Sequence, residues 1–192
     1  VPFGGNAEDI TQNFADVPRW GVSVAYFFNY RGYGFSKGRP SQRALYADAL
    51  AAYDLVASEN SAATNRLVVI GRSLGAAVAT YLAAHRPITK VILVTPFDSL
   101  SALVRFYYPY IPVQWLLRHP FPSMDYARQT PQPLQMILAS HDEVIPRENS
   151  LRLFDAWQGQ KEITTIANSG HNTIHCGSVF HQTICRHVEA GR

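Results

Sequence analysis

Hydrophobic positions along the chain alternate between two patterns. Short, nearly continuous apolar runs occur at Val22 to Phe28, Leu67 to Ile70, Val91 to Thr95, Leu134 to Ala139 and Ile163 to Ala167. Runs of this length and composition are expected of strands buried on both faces. Between them lie segments with helical spacing. Ser41 to Val56 places Leu45, Ala49, Ala52 and Val56 on one face behind a Pro40-Ser41 start signal. Leu74 to His85 is rich in small residues and is closed by Pro87. Residues 175 to 187 predict a C-terminal helix. Strands alternating with helices give an α/β class, a mostly parallel central sheet covered by helices on both faces.

One stretch breaks the alternation. Phe106 to Leu117, reading FYYPYIPVQWLL, is uncharged, aromatic and interrupted by Pro109 and Pro112. It lies in an insertion spanning about residues 101–130. Two readings compete for it, an apolar lid or substrate wall over a site and an ordinary buried connection, with a membrane-surface role as a third.

The chain has 192 residues, which at roughly 100–200 residues per domain fits one domain over 1–192. Its charged fraction is 16% and its hydrophobic fraction 47%, a balance that excludes a disordered chain. Seventeen Lys and Arg against fourteen Asp and Glu leave a net charge of +3. That is too mild for the electrostatic footprint of a dedicated nucleic-acid binder, so no nucleic-acid partner is expected. No apolar stretch reaches the roughly 20 residues of a membrane-spanning helix, and the start of the chain lacks a signal-peptide pattern. A cytoplasmic location is the default expectation. Cys176 and Cys185 are too few for a disulfide scaffold, and a bond between them would need a break in the helix that carries both.

The most informative residues are Gly71-Arg72-Ser73-Leu74-Gly75, directly after one predicted strand and directly before the small-residue helix. A serine on a sharp strand-to-helix turn takes up a strained backbone that exposes its hydroxyl, and flanking glycines relieve the crowding. The same turn aims the Leu74 N–H, at a helix N-terminus, at negative charge developing on a substrate oxygen. A plain tight turn with a small residue at its tip is the alternative.

A serine hydroxyl is a weak nucleophile and needs a base, which in turn needs an orienting group. Ser140-His141-Asp142-Glu143-Val144-Ile145-Pro146 follows one strand and Asn168-Ser169-Gly170-His171-Asn172 the next. Asp142 and His171 thus sit on loops at strand C-terminal ends, where ligand and catalytic groups collect in open α/β sheets. The order Ser73, Asp142, His171 is that of a strand-elbow hydrolase triad. Asp142 also reads as a loop carboxylate or helix cap, with Glu143 as a rival acid, and His171 as a surface histidine. His171, His175, His181 and His187, with Cys176 and Cys185 nearby, invite a metal reading but lack the spacing of a catalytic zinc set, so no metal is expected.

Together GRSLG, Tyr30-Arg31-Gly32-Tyr33-Gly34 with Ser36, Gly38, Pro40 and Ser41 after it, SHDEVIP and SGHN resemble the α/β-hydrolase superfamily. More narrowly they resemble its Bem46-like branch, related to the serine aminopeptidase-like hydrolases. The resemblance covers nearly the whole chain. It implies the α/β-hydrolase fold, no cofactor, and Ser73 as nucleophile, His171 as general base and acid and Asp142 as orienting carboxylate. Leu74 N–H would be one oxyanion donor. The family's second donor comes from a loop usually reading His-Gly-Asn, here Gly4-Gly5-Asn6 with Gly4 in place of the His, which points to the Asn6 N–H. Relatives carry further strands, and often a membrane anchor, upstream. The resemblance therefore implies that this sequence is part of a longer protein, with membrane association possible through that upstream region.

The function expected from these residues is cleavage of a carboxylic ester or thioester through an acyl-enzyme, the substrate being a small-molecule or lipid-like acyl compound. The alternatives are a noncatalytic binding protein on the same fold, and an acyltransferase or peptidase using the same residues.

Overall fold

Five strands lie side by side in chain order, every neighbouring pair parallel: β1 (Pro2–Phe3), β2 (Val68–Arg72), β3 (Lys90–Val94), β4 (Leu134–Ala139) and β5 (Lys161–Ile166). Parallel neighbours require crossovers. These carry α1 (Gln42–Glu59), α2 (Leu74–His85), α3 (Leu100–Tyr107), α4 (Ser123–Ala127) and α5 (Arg147–Ala156), and α6 (Ser178–Glu189) follows β5. The described residues also form two 3-10 helices, Ile10–Trp20 and Ile174–Cys176. The computed structural model describes residues 1–5, 10–59, 66–112 and 116–189.

Strand residues alternate between two cores because successive side chains point to opposite faces. Val69, Val91, Leu93, Leu134, Met136 and Leu138 pack on one face against Leu45, Ala49 and Val56 of α1, Ala76, Val78 and Leu82 of α2, and Leu153 of α5. Ile70, Ile92, Val94, Ile137 and Ile166 pack on the other against Trp20, Ile174, Phe180 and Ile184. Helices therefore cover both faces, and the C-terminal ends of β2, β4 and β5 open on one edge of the layers, where the candidate residues lie.

Three expectations change. Val22–Phe28 forms no strand. It alternates all the same, Phe27 facing one core and Tyr26 and Phe28 the other. What it lacks is a ladder: β1 is two residues long and already pairs with β2, and apolar alternation without a partner strand does not make a sheet. The C-terminal helix is split rather than continuous over 175–187, because Gly177 is extended (φ −93°, ψ 149°) between Ile174–Cys176 and α6. Cys176 and Cys185 flank that break and are not joined by a disulfide.

The third concerns the aromatic insertion. α3 lays Leu100 and Leu103 on the core of α1 and α2, but Phe106, Tyr107, Tyr108, Tyr110, Ile111 and Leu116 are all exposed, Tyr110 at 98%. An ordinary buried connection does not describe these residues. Val113, Gln114 and Trp115 of the same stretch lie outside the described residues.

Candidate active site

The turn from β2 into α2 is built by sterics. Ser73 has φ 52° and ψ −114°, in the region a residue with a Cβ rarely occupies. Both flanking glycines are required there. A Cβ on Gly71 would come within 2.4 Å of the Gly75 carbonyl oxygen and 2.7 Å of Ala76 Cα. A Cβ on Gly75 would lie 2.2 Å from the Phe3 carbonyl oxygen and 2.5 Å from that of Gly4. The loop leaving β1 is thus pressed against the first turn of α2, beside Leu74. Ser73 N–H donates to the Val94 carbonyl (2.9 Å), pinning the turn to β3. As the first residue of α2, Leu74 presents one of the N–H groups that a helix leaves without an intrahelical partner. Asn6, expected as a second donor, lies outside the described residues.

Asp142 and His171 reach each other across the ends of β4 and β5. His171 Nδ1 lies 3.0 Å from both carboxylate oxygens of Asp142. A carboxylate only accepts, so this contact places a proton on Nδ1 and, in the neutral ring, leaves the lone pair on Nε2. Both side chains are largely buried, 6% exposed for His171 and 10% for Asp142. The Asp142 Oδ1 also accepts the N–H groups of Val144 (2.9 Å) and Ile145 (2.8 Å). This is the Asx geometry that turns the chain into α5. Asp142 therefore contacts the histidine ring and braces its own loop at once. Burial by itself would raise the Asp142 pKa. The His171 ring and the Ile145 and Val144 N–H groups outweigh it and hold the carboxyl below its ordinary 3.8.

The two loops are stitched together elsewhere too. His141 N–H donates to the Ser169 carbonyl (2.9 Å) and Ser140 N–H to that of Ile166 (3.1 Å). Asn168 turns the chain out of β5 at φ 53°, a conformation asparagine tolerates better than most residues. The rival acid Glu143 does not approach the imidazole nitrogen. Its Oε2 accepts the main-chain N–H of His171 (3.0 Å), which holds its carboxyl below the ordinary 4.5. Asp98, buried at the end of β3, is engaged by the Ser99 N–H, Asn149 Nδ2 and Arg152 Nε, and braces α5 instead.

Arg72 connects the two halves of the site. Its Nη2 donates to the His171 carbonyl and to Asn172 Oδ1, each at 3.2 Å. Sequence reasoning assigned Arg72 nothing beyond its place in the glycine-serine motif. It also missed Tyr107, whose hydroxyl donates to the carbonyls of Glu143 (3.2 Å) and Val144 (3.0 Å) and ties the aromatic segment to the Asp142 loop. The place of Arg72 in the motif marks the residue without disclosing its partners, and nothing in the aromatic run distinguishes Tyr107 from Tyr108. The remaining histidines lie elsewhere. His181 takes the Trp20 indole N–H on Nδ1 (3.3 Å) against α6, where burial lowers its pKa. Among the described residues no three His, Cys, Asp or Glu side chains are grouped to hold a metal, and no helix is long and apolar enough to cross a membrane.

A family model described as serine aminopeptidase, S33, matches residues 4–132. The match includes the Ser73 turn and ends before Asp142 and His171. An uncharacterized protein of Mycobacterium tuberculosis is 37% identical over 152 residues, covering 79% of this chain and 54% of that one. Alpha/beta hydrolase domain-containing protein 17B of Homo sapiens is 28% identical over 173 residues, covering 88% and 59%. The chain spans about half the length of the curated relatives it matches. Among solved structures, the monoacylglycerol lipase of Paleococcus ferrophilus superposes with a TM-score of 0.76 at 18% identity, over 100% of this chain and 93% of that one. At that identity the likeness shows the α/β-hydrolase fold.

Proposed function

The chain belongs to the serine aminopeptidase S33 family of α/β hydrolases, and from that premise we propose that it is a serine hydrolase cleaving a carboxylic ester or thioester through an acyl-enzyme. The observation that carries the reading is the Asp142 contact with His171 Nδ1, 3.0 Å to each oxygen, on loops that Arg72 ties to the strained turn of Ser73.

In this mechanism Ser73 Oγ attacks the acyl carbon while His171 Nε2 takes its proton, and Asp142 steadies the ring as it becomes a cation. The carbonyl π electrons move onto oxygen, and the oxyanion rests on the Leu74 N–H at the start of α2, with the Asn6 N–H as the second donor. Collapse expels the alcohol or thiol, which leaves with the proton from His171. Water then attacks the acyl-enzyme with His171 again as base, and the acid departs as Ser73 recovers its proton.

The exposed aromatic residues Phe106, Tyr107, Tyr108 and Tyr110, fastened by Tyr107 to the loop of Asp142, favour an apolar or lipid-like acyl group over a polar one. A panel of p-nitrophenyl acetate, butyrate and octanoate, with the matching thioesters, tests the reading. The expected result is turnover that rises with chain length and disappears in Ser73→Ala. Turnover that persists in Ser73→Ala contradicts the assignment of the nucleophile.

A further inference from the structure

His171 is held by its main chain as well as by its ring. Its N–H donates to Glu143 Oε2 at 3.0 Å, and its carbonyl accepts from Arg72 Nη2 at 3.2 Å. One side chain from the β4 loop and one from the end of β2 therefore grip the two peptide groups on either side of the His171 Cα. Arg72 is covalently next to Ser73, so its guanidinium ties the histidine to the same strand end that carries the serine.

Glu143 is itself seated. The Tyr107 hydroxyl donates to its carbonyl at 3.2 Å, and its carboxylate lies over Gly170, where a Cβ would come within 2.7 Å of Oε2. A side chain at 170 would push the carboxylate off the His171 N–H. Both grips involve a charged partner, a carboxylate accepting and a guanidinium donating, which makes them stronger than neutral hydrogen bonds.

Such a grip answers a need that Asp142 does not meet. The Asp142 contact fixes the ring's tautomer and rotation, but the ring still travels with its Cα. Among the described residues neither Ser73 Oγ nor His171 Nε2 has a hydrogen-bond partner, so nothing between those two atoms sets their separation. A misplacement of about 1 Å costs roughly 100-fold in rate.

We propose that Glu143 and Arg72 are positioning residues that clamp the main chain of His171 and set the reach of its ring to Ser73. The inference rests on the serine-hydrolase reading above. Glu143 then acts beside the orienting acid without touching the imidazole, and the Arg in the motif acts as a strut between the two loops.

The test compares wild type, Glu143→Ala, Glu143→Gln and Arg72→Ala in p-nitrophenyl butyrate turnover and in labelling rate by a fluorophosphonate. Glu143→Ala and Arg72→Ala are expected to lower kcat and the labelling rate roughly 10-fold with KM changed by less than about 2-fold. Glu143→Gln keeps an oxygen that accepts the N–H and is expected to recover most of the rate. Hydrogen exchange at the His171 amide, measured in a Ser73→Ala background, should speed up by about 10-fold when Glu143→Ala is added.

An active wild type whose Glu143→Ala variant keeps its kcat and its slow amide exchange overturns the clamp alone. Glu143→Gln falling as far as Glu143→Ala also overturns it, by assigning Glu143 a charge role instead of an acceptor role. A folded wild type inert to both ester and fluorophosphonate overturns the hydrolase reading first and the clamp with it. Arg72 ends a core strand, so if Arg72→Ala does not fold the decision falls to the exposed Glu143 variants.

Discussion

The two halves of the candidate site are built by different forces. The Ser73 turn is steric: φ 52° at Ser73 is tolerated because Gly71 and Gly75 remove atoms that would otherwise lie inside 2.5 Å of neighbouring backbone. The Asp142 and His171 half is held by hydrogen bonds between loops that are 29 residues apart. Steric construction is all or nothing and indifferent to pH. Hydrogen-bonded construction can be weakened in steps, and through carboxylates it responds to acid. A rigid half carrying the proposed nucleophile and an adjustable half carrying the proposed base is the division that results.

The sharpest way to break this contrast is at the steric half. Gly75→Val should abolish soluble folded protein, because no side chain fits between α2 and the Phe3 and Gly4 carbonyls. Expression with circular dichroism checks this, and a folded, active Gly75→Val would end the steric account. Asp142→Asn comes next. Asparagine keeps an oxygen for the Val144 and Ile145 N–H groups, so the variant should fold. It should nevertheless lose roughly 100- to 10,000-fold in kcat, because an amide can hold the wrong tautomer of His171.

Acid should separate the halves further. The folded Asp142 carboxyl lies below its ordinary 3.8, so its contribution to stability is fully present above the unfolded value and drains away as pH falls through the folded one. Thermal midpoints measured from about pH 5 down to about pH 3 should therefore fall more steeply for wild type than for Asp142→Asn. Parallel slopes would remove Asp142 from the acid response. The smallest effect is expected at Tyr107→Phe. It deletes a half-exposed hydroxyl bound to two carbonyls and should cost about 0.5–1 kcal/mol in a denaturant titration, with activity mostly retained.

The same contrast explains what the sequence made legible. Local sterics are written locally: the segment Leu74 to His85 was readable from its small residues and Pro87, and α2 spans those residues. Buried strands were readable from their apolar runs, β4 at Leu134–Ala139 and β3 and β5 within two residues at either end. Val22–Phe28 carried the same signal and formed no strand, since a strand is a property of a pair and its neighbour β1 offers two residues. Loop order at the strand ends placed Asp142 and His171 in one neighbourhood. The contacts of His171 with Glu143 and with Arg72, 28 and 99 residues away, depend on how loops meet in space, and no residue pattern along the chain encodes them. Exposure of Tyr110 and its neighbours was illegible for a related reason, because aromatic residues serve cores and surfaces alike.

The most direct test of the central claim, that Ser73 is activated by a histidine steered by Asp142, is intact-mass labelling with a fluorophosphonate, which needs no knowledge of the substrate. The account predicts one adduct per wild-type chain, none on Ser73→Ala, and none within the same interval on His171→Ala. A folded wild-type chain that takes no adduct, or an adduct that survives Ser73→Ala, would contradict it.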